Sequence, residues 1–406
     1  MLKKKKGPAG GVSVDQIEKL GKNSVKRKVA ISAVTMTLFF AILIFFAIMT
    51  VFGDKASFSE LENRYLSDPP KVSAKNIYGG DFSADTETYV ADHFFGRNVF
   101  VKFKTYADLL VGKTERNGVY IIKGSRLAQR VNEPDSELIN KSINAVNTFA
   151  ADNPDVPVFF MLAPTSGDIY SDELPKNAPM LDEKTFIENV YGGLSSDIST
   201  IDAYSVMSLN KDSYIYYRND HHWTSYGAYL AYTAAAKKMG FTAAPLSSFD
   251  IEHASDDFKG TLYSSALYDG IEADTIDFYH PINGCNVSGE YVYKSFGEEP
   301  EFYDDIYFRE YLDVKDKYSA FTGSNQPLIK ITSDSTGGKL LVIKDSYAHS
   351  FVPFLTQNYS EVTMLDMRYI QISYKELIDV SEYDGVLFLY NAATFSTDDN
   401  LKKLTY

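Results

Sequence analysis

Apolar and polar positions divide this chain into three regimes. From Val29 to Phe52 the sequence VAISAVTMTLFFAILIFFAIMTVF carries no charge. At about 1.5 Å per helical residue it exceeds the roughly 30 Å hydrocarbon core of a bilayer, so a helix there spans with some tilt. A cleaved signal peptide has a shorter apolar region, about 7 to 15 residues, followed by a small-residue cleavage site. Here Phe52-Gly53-Asp54-Lys55 follows, which predicts an uncleaved anchor. The second regime, residues 53 to about 85, contains Asp68-Pro69-Pro70 and Gly79-Gly80 and predicts a turn-rich stem.

The third regime, from about Thr86 onward, alternates two periodicities. Helical spacing marks Tyr89 to Leu110, Ser136 to Asn153 and Tyr226 to Met239. Ser136 is a cap candidate for the second of these, with Leu138, Ile139, Ile143, Val146, Phe149 and Ala150 on one face. Thr224 or Ser225 suits the cap of the third. Gly118 to Ile122 reads as a strand entering a turn at Lys123-Gly124. Continuous apolar runs end at Leu162, Ile343, Leu365 and Tyr390, the pattern of parallel strands covered on both faces. Helices alternating with such strands predict an α/β fold, a parallel sheet with helices on both sides. Between about 246 and 335 the pattern weakens into short aromatic and acidic stretches such as Asp277-Phe278-Tyr279-His280, expected to be an insertion of irregular or β structure. The expected organisation is a stub at 1–28, a transmembrane helix at 29–52, a stem at 53–85 and one large domain at 86–406. About 350 residues after the span are ample for a core.

Charge orients this plan. Nine basic residues precede the span against Asp15 and Glu18, a net +7, which leaves −21 for the remainder of a chain whose formal charge is −14. The positive-inside rule places the N-terminus in the cytoplasm and the domain outside the cell membrane. So acidic a domain is a poor partner for nucleic acid or an anionic lipid surface. The single cysteine, Cys285, excludes an internal disulfide, and a cysteine-poor exported domain suggests a Gram-positive surface.

The densest chemistry is Asn219-Asp220-His221-His222-Trp223-Thr224, with the only tryptophan and two of six histidines. In an extended segment Asp220 and His222 point to one side and His221 to the other, and an aspartate beside a histidine fixes its tautomer and stabilises the imidazolium. Ser346, where a buried strand gives way to a helix, supplies a hydroxyl at the carboxyl edge where such sheets build sites. The N–H groups of that helix start are positioned to hold an oxyanion. Each residue also has a plain structural role open to it: Ser346 or Asp345 as a helix cap, the histidines as interior residues. A metal site on Asp220, His221 and His222 is disfavoured by the opposite facing of adjacent strand residues.

Asp220-His221-His222-Trp223 with the following Thr224-Ser225-Tyr226-Gly227-Ala228-Tyr229 resembles the signature of the DHHW protein family. Phe58-Ser59-Glu60, Glu62-Asn63-Arg64, Asp92-His93-Phe94-Phe95-Gly96-Arg97, Asn117-Gly118-Val119-Tyr120 and Lys344-Asp345-Ser346-Tyr347 extend the resemblance over most of residues 58 to 390. That family is similar to the SGNH-hydrolase-like enzymes that O-acetylate bacterial polysaccharides, the alginate acetyltransferases among them. The resemblance implies a three-layer SGNH-like fold and a triad of Asp220, His222 and Ser346. The order is reversed from ordinary SGNH esterases, and Lys344-Asp345-Ser346-Tyr347 stands where their Gly-Asp-Ser-Leu block would be. Asn391, Thr165, Ser166 and Tyr347 are therefore the candidates for oxyanion or substrate contacts, and Arg368 for holding an anionic or polar group. The implied function is O-acylation of an extracellular glycan, with acetyl as the acyl group, by an acyl-serine Ser-His-Asp route and without a cofactor or metal. Little acetyl-CoA exists outside the cell, so a multi-pass membrane acyltransferase is implied as acyl donor. The rival readings are a carbohydrate esterase, with water as acceptor, and a non-catalytic glycan-binding or assembly module.

Overall fold

A computed structural model describes residues 14–282, 288–293 and 301–405. Lys3 to Lys6 of the basic stub, Cys285 and Glu299-Pro300 lie outside the described residues. The chain divides into two units: residues up to 59 together with 64–100, and residues 60–63 with 101 onward.

In the first unit, helix α1 (Val14–Phe52) begins well before the apolar stretch. Residues 21–52 are long and apolar enough to cross a membrane, and side chains all round the helix, among them Leu38, Phe39 and Ile42, are exposed. The stem is more ordered than its turn residues predict, with helices at Ala74–Gly79 and Asp81–Asp92. The helical spacing from Tyr89 to Leu110 is realised as two helices broken at His93 to Gly96, where Gly96 has φ +74°. Arg64 donates to Asp92 through both terminal nitrogens, and Ser67 adds its N–H and hydroxyl to the same carboxylate at 3.0 and 3.1 Å. These bonds, the one from Arg64 above all, hold the Asp92 carboxyl well below its ordinary range. Phe94 stacks on Phe46 at 5.4 Å between ring centroids.

The second unit is built on an eight-stranded sheet. Its strands are β1 (Val158–Ala163), β2 (Ile198–Ile201), β3 (Ser288–Tyr293), β4 (Glu301–Tyr303), β5 (Leu328–Thr332), β6 (Lys339–Lys344), β7 (Glu361–Leu365) and β8 (Gly385–Asn391). They lie in the order β4-β3-β5-β7-β6-β8-β1-β2. The five from β7 to β2 are parallel, and β5, β3 and β4 extend the β7 edge antiparallel. The region 246–335 thus supplies three strands of the main sheet, besides a separate hairpin of Phe249–Phe258 with Asp274–Pro281.

Strand alternation explains why the central strands are apolar throughout. Phe160, Leu162, Leu341, Ile343, Phe388 and Tyr390 face one core, against α2 (Ser136–Asp152) and α3 (Glu183–Gly193). Met161, Leu340, Val342, Leu387 and Leu389 face the other, against α4 (Ser225–Met239) and α5 (Ala348–Leu355). The result is the expected three-layer α/β fold. Thr224 caps α4, accepting from Gly227 N–H at 3.2 Å. The α2 cap is Asp135 rather than Ser136, accepting from Glu137 N–H at 2.8 Å.

Glu183, at the start of α3, is fully buried and accepts from the N–H and hydroxyl of Thr165, both at 2.6 Å. Burial pushes its pKa up to about 8, against the Thr165 hydrogen bonds that favour the carboxylate. The folded state therefore holds a proton that the unfolded chain, titrating near 4.5, releases. Stability from this group is full below about pH 4.5 and is lost as pH rises through about 8. Glu183→Gln imitates the protonated acid, so its melting temperature should fall less than the wild type's between pH 5 and pH 8. Identical slopes in thermal unfolding would assign the pH dependence elsewhere.

Candidate active site

The carboxyl ends of β6, β7, β8 and β1 lie side by side, and the candidate residues follow them directly. After β6 the chain turns through Asp345 and Ser346 into α5. Asp345 is fully buried and shapes this turn. Its Oδ1 accepts the Tyr347 N–H at 2.8 Å, and its Oδ2 accepts the backbone N–H and side-chain amide of Asn391 at 2.7 and 2.6 Å. Burial raises the Asp345 pKa. Neither Asp345 nor Ser346 occupies the cap position of α5, which is Tyr347 and carries no side-chain cap. Ser346 is partly exposed, and its own N–H has no partner among the described residues.

The aspartate–histidine segment reaches this turn by folding back on itself. Tyr216 bridges Trp223, Tyr217 N–H donates to the His222 carbonyl at 3.2 Å, and Thr224 N–H donates to the Ile215 carbonyl at 3.0 Å. The residues between are bent, not extended as expected, so His221 does not point away: its ring centroid lies 3.8 Å from that of His222. Asp220 and His222 nevertheless meet as a couple. Asp220 Oδ1 accepts from His222 Nδ1 at 2.5 Å and from His222 N–H at 3.0 Å. Asp220 Oδ2 accepts from the N–H and hydroxyl of Thr261 at 2.8 and 2.9 Å. Gly260 makes that approach feasible, since a Cβ there would stand 2.1 Å from Oδ2.

Burial opposes ionisation of Asp220, but His221, His222 and these hydrogen bonds prevail and hold its pKa far below the ordinary carboxylate range. A carboxylate only accepts, so His222 carries its proton on Nδ1 and presents a lone pair at Nε2. Ser346 Oγ stands 2.7 Å from that nitrogen, within the reach a general base needs.

Three buried aromatics hold these parts in register. Trp223 Nε1 donates to the Tyr347 carbonyl and to Ser350 Oγ, both at 3.0 Å. Tyr347 donates its hydroxyl to the His221 carbonyl. Tyr318 stacks on His222 at 3.6 Å between centroids and 6° between planes, and its hydroxyl reaches the Ser346 carbonyl at 3.1 Å. Thr261 and Tyr318, both from the weakly patterned region, were not among the residues picked out from the sequence.

The remaining candidates divide. Arg368 and Asn391 line a cleft of about 590 Å³ with His221, Thr261, Gln129 and Arg130. Both are engaged: Arg368 grips Asp366 at 2.8 and 2.6 Å, and the Asn391 amide serves Asp345 and Thr394. Thr165, Ser166 and the Tyr347 side chain are interior, with Thr165 committed to Glu183. Lys344 is also wholly buried, 3.2 Å from Asp366 and 2.8 Å from His349 Nε2; burial lowers its pKa and Asp366 opposes the shift. Asp220, His221 and His222 present possible ligand atoms within 4.8 Å of one another. All of these except His221 Nε2 already make hydrogen bonds among the described residues.

These groups thus stand together at the carboxyl edge of a three-layer α/β fold whose central strands are parallel. The model of the DHHW protein family matches residues 135–365, more than half of the chain, and the chain belongs to that family. A DHHW family protein from Eubacterium siraeum is similar in structure, with TM-score 0.62 and 25% identity over 72% of this chain and 96% of that one. Bacillus cereus PatB1, solved with a sulfonyl adduct, has TM-score 0.58 and 22% identity over 69% and 97%. The O-acetyltransferase domain of Pseudomonas putida AlgJ is more distant, with TM-score 0.42 and 14% identity over 72% and 100%. No curated protein matches the chain at a significant level.

Proposed function

We propose that this protein is an O-acyltransferase, anchored by α1 with its N-terminus in the cytoplasm, that transfers an acyl group, acetyl being the first choice, to a hydroxyl of an extracellular glycan. The observation that carries the reading is the unbroken line from Asp220 through His222 to Ser346, at 2.5 and 2.7 Å. In the first half-reaction Ser346 Oγ attacks the acyl carbonyl while its proton passes to His222 Nε2. The tetrahedral oxyanion is held by backbone N–H, that of Ser346 being free to serve. Collapse expels the donor's leaving group, which takes the proton from His222, and acyl-Ser346 remains. In the second half a glycan hydroxyl gives its proton to His222 as its oxygen attacks the ester. Ser346 departs and recovers a proton from His222. Asp220 stays ionised and stabilises the imidazolium in both halves.

A multi-pass membrane acyltransferase fits the role of donor, since acyl groups must be delivered outside the cell. The sulfonyl adduct of PatB1 motivates the test. The full-length chain in detergent is treated with an aryl acetate or, separately, an aryl sulfonyl fluoride, and followed by intact mass and peptide mapping. One added group on the Ser346 peptide is expected, with the acetyl form discharged by added glycan. Absence of labelling, or labelling elsewhere, would exclude the acyl-serine route.

A further inference from the structure

The hydrogen bonds around Asp220 determine a proton position on a residue that the acyl-serine route leaves unused. Asp220, as a carboxylate, takes the single hydroxyl proton of Thr261 at 2.9 Å. His221 Nδ1 lies 2.6 Å from that same hydroxyl oxygen. With its proton already given to Asp220, Thr261 Oγ1 is an acceptor toward His221, so the His221 proton is on Nδ1. Nε2 of His221 is then a lone-pair acceptor, and it has no partner among the described residues. The residue lines the 590 Å³ cleft together with Thr261, Gln129, Arg130 and Thr394. Burial, and then repulsion from His222, lower its pKa to about 4, which keeps the ring neutral and the lone pair available at physiological pH.

The two imidazoles thus stand with centroids 3.8 Å apart, the Nε2 of His222 partnered by Ser346 and the Nε2 of His221 without a partner among the described residues. The attacking hydroxyl gives its proton to His222 Nε2 and cannot also donate to His221. A second donor on the same acceptor can. We infer that His221 Nε2 accepts a hydrogen bond from an O–H or N–H group borne next to the attacking hydroxyl, so that the cleft selects vicinal diols and amido alcohols, as sugars present them, over isolated hydroxyls. This deepens the acyl-serine reading and rests on it. His221 is a specificity-determining residue in this role, and no proton leaves it.

The test compares two acceptors competing for one acyl-enzyme. Full-length protein in detergent, acetylated by an aryl acetate, is offered trans-cyclohexane-1,2-diol and trans-2-methoxycyclohexanol, which share ring and reacting hydroxyl but differ in the neighbouring donor. Product esters are counted by mass spectrometry, and their ratio cancels any change in the acylation rate. The two equivalent hydroxyls of the diol give about a twofold statistical preference, and one neutral hydrogen bond multiplies it roughly five- to tenfold in the wild type. His221→Leu is expected to return the ratio to the statistical value, and His221→Gln, whose amide oxygen can accept, to restore part of it. A statistical ratio in acylated wild type, or an unchanged ratio in His221→Leu, overturns the inference while leaving acyl transfer intact. No acylation of Ser346 at all overturns the acyl-serine reading and this inference with it.

Discussion

Ser346→Ala is expected to abolish acylation by an activated acetyl ester while leaving the fold almost unchanged. In a Ser-His-Asp site the nucleophile contributes on the order of 10⁶ in rate, so loss to the detection limit is the expected reading by intact mass. The small structural effect follows from the surroundings of Ser346. Its hydroxyl has one partner among the described residues, His222 Nε2 at 2.7 Å, and it does not cap α5. Losing a single part-exposed hydrogen bond costs about 0.5–1.5 kcal/mol, a shift of a few degrees in melting temperature. A purely structural serine would show the reverse, lost stability and no change in labelling. The two readouts on one purified variant therefore separate a nucleophile from a structural serine.

The sheet was legible because its central strands are covered on both faces. That geometry forces uninterrupted apolar runs, and β1, β6, β7 and β8 carry them. The edge strand β2 escaped notice because Ile198-Ser199-Thr200-Ile201 needs an apolar residue only at its buried ends. Ser346 could be singled out as a candidate because the carboxyl ends of parallel strands are where such sheets build sites. The full surroundings of the site could not. Thr261 reaches Asp220 from 41 residues away, and Tyr318 approaches His222 from a segment whose only regular structure is a short 3₁₀ turn. Neither position has a periodicity that would single it out, since each is set by tertiary packing.

Alternation in an extended strand was the natural reading of four consecutive residues, and it placed Asp220 with His222 correctly for an incomplete reason. What brings them together is the side chain of Asp220 accepting the N–H of His222, two residues on, a local bond that bends the backbone. The same bend turns His221 toward the cleft. Within Lys344-Asp345-Ser346-Tyr347, likewise, three of four residues are buried, so most of that motif builds the turn on which Ser346 stands.

Asp220→Asn should lower the acylation rate by about 10³–10⁴-fold while the serine remains in place. The carboxylate accepts four hydrogen bonds, two on each oxygen, and an amide has only one acceptor oxygen. If that oxygen keeps His222, the amide nitrogen confronts the N–H of Thr261, donor against donor. If the amide flips to satisfy Thr261, it donates to His222 Nδ1 and drives the histidine proton to Nε2, where it faces Ser346 and removes the base. Both arrangements also deprive the imidazolium of its counter-charge. Single-turnover labelling of Ser346 measures the loss. NMR of the His222 ring nitrogens tells a changed tautomer from a displaced ring, and a variant that acylates at the wild-type rate would remove Asp220 from the mechanism.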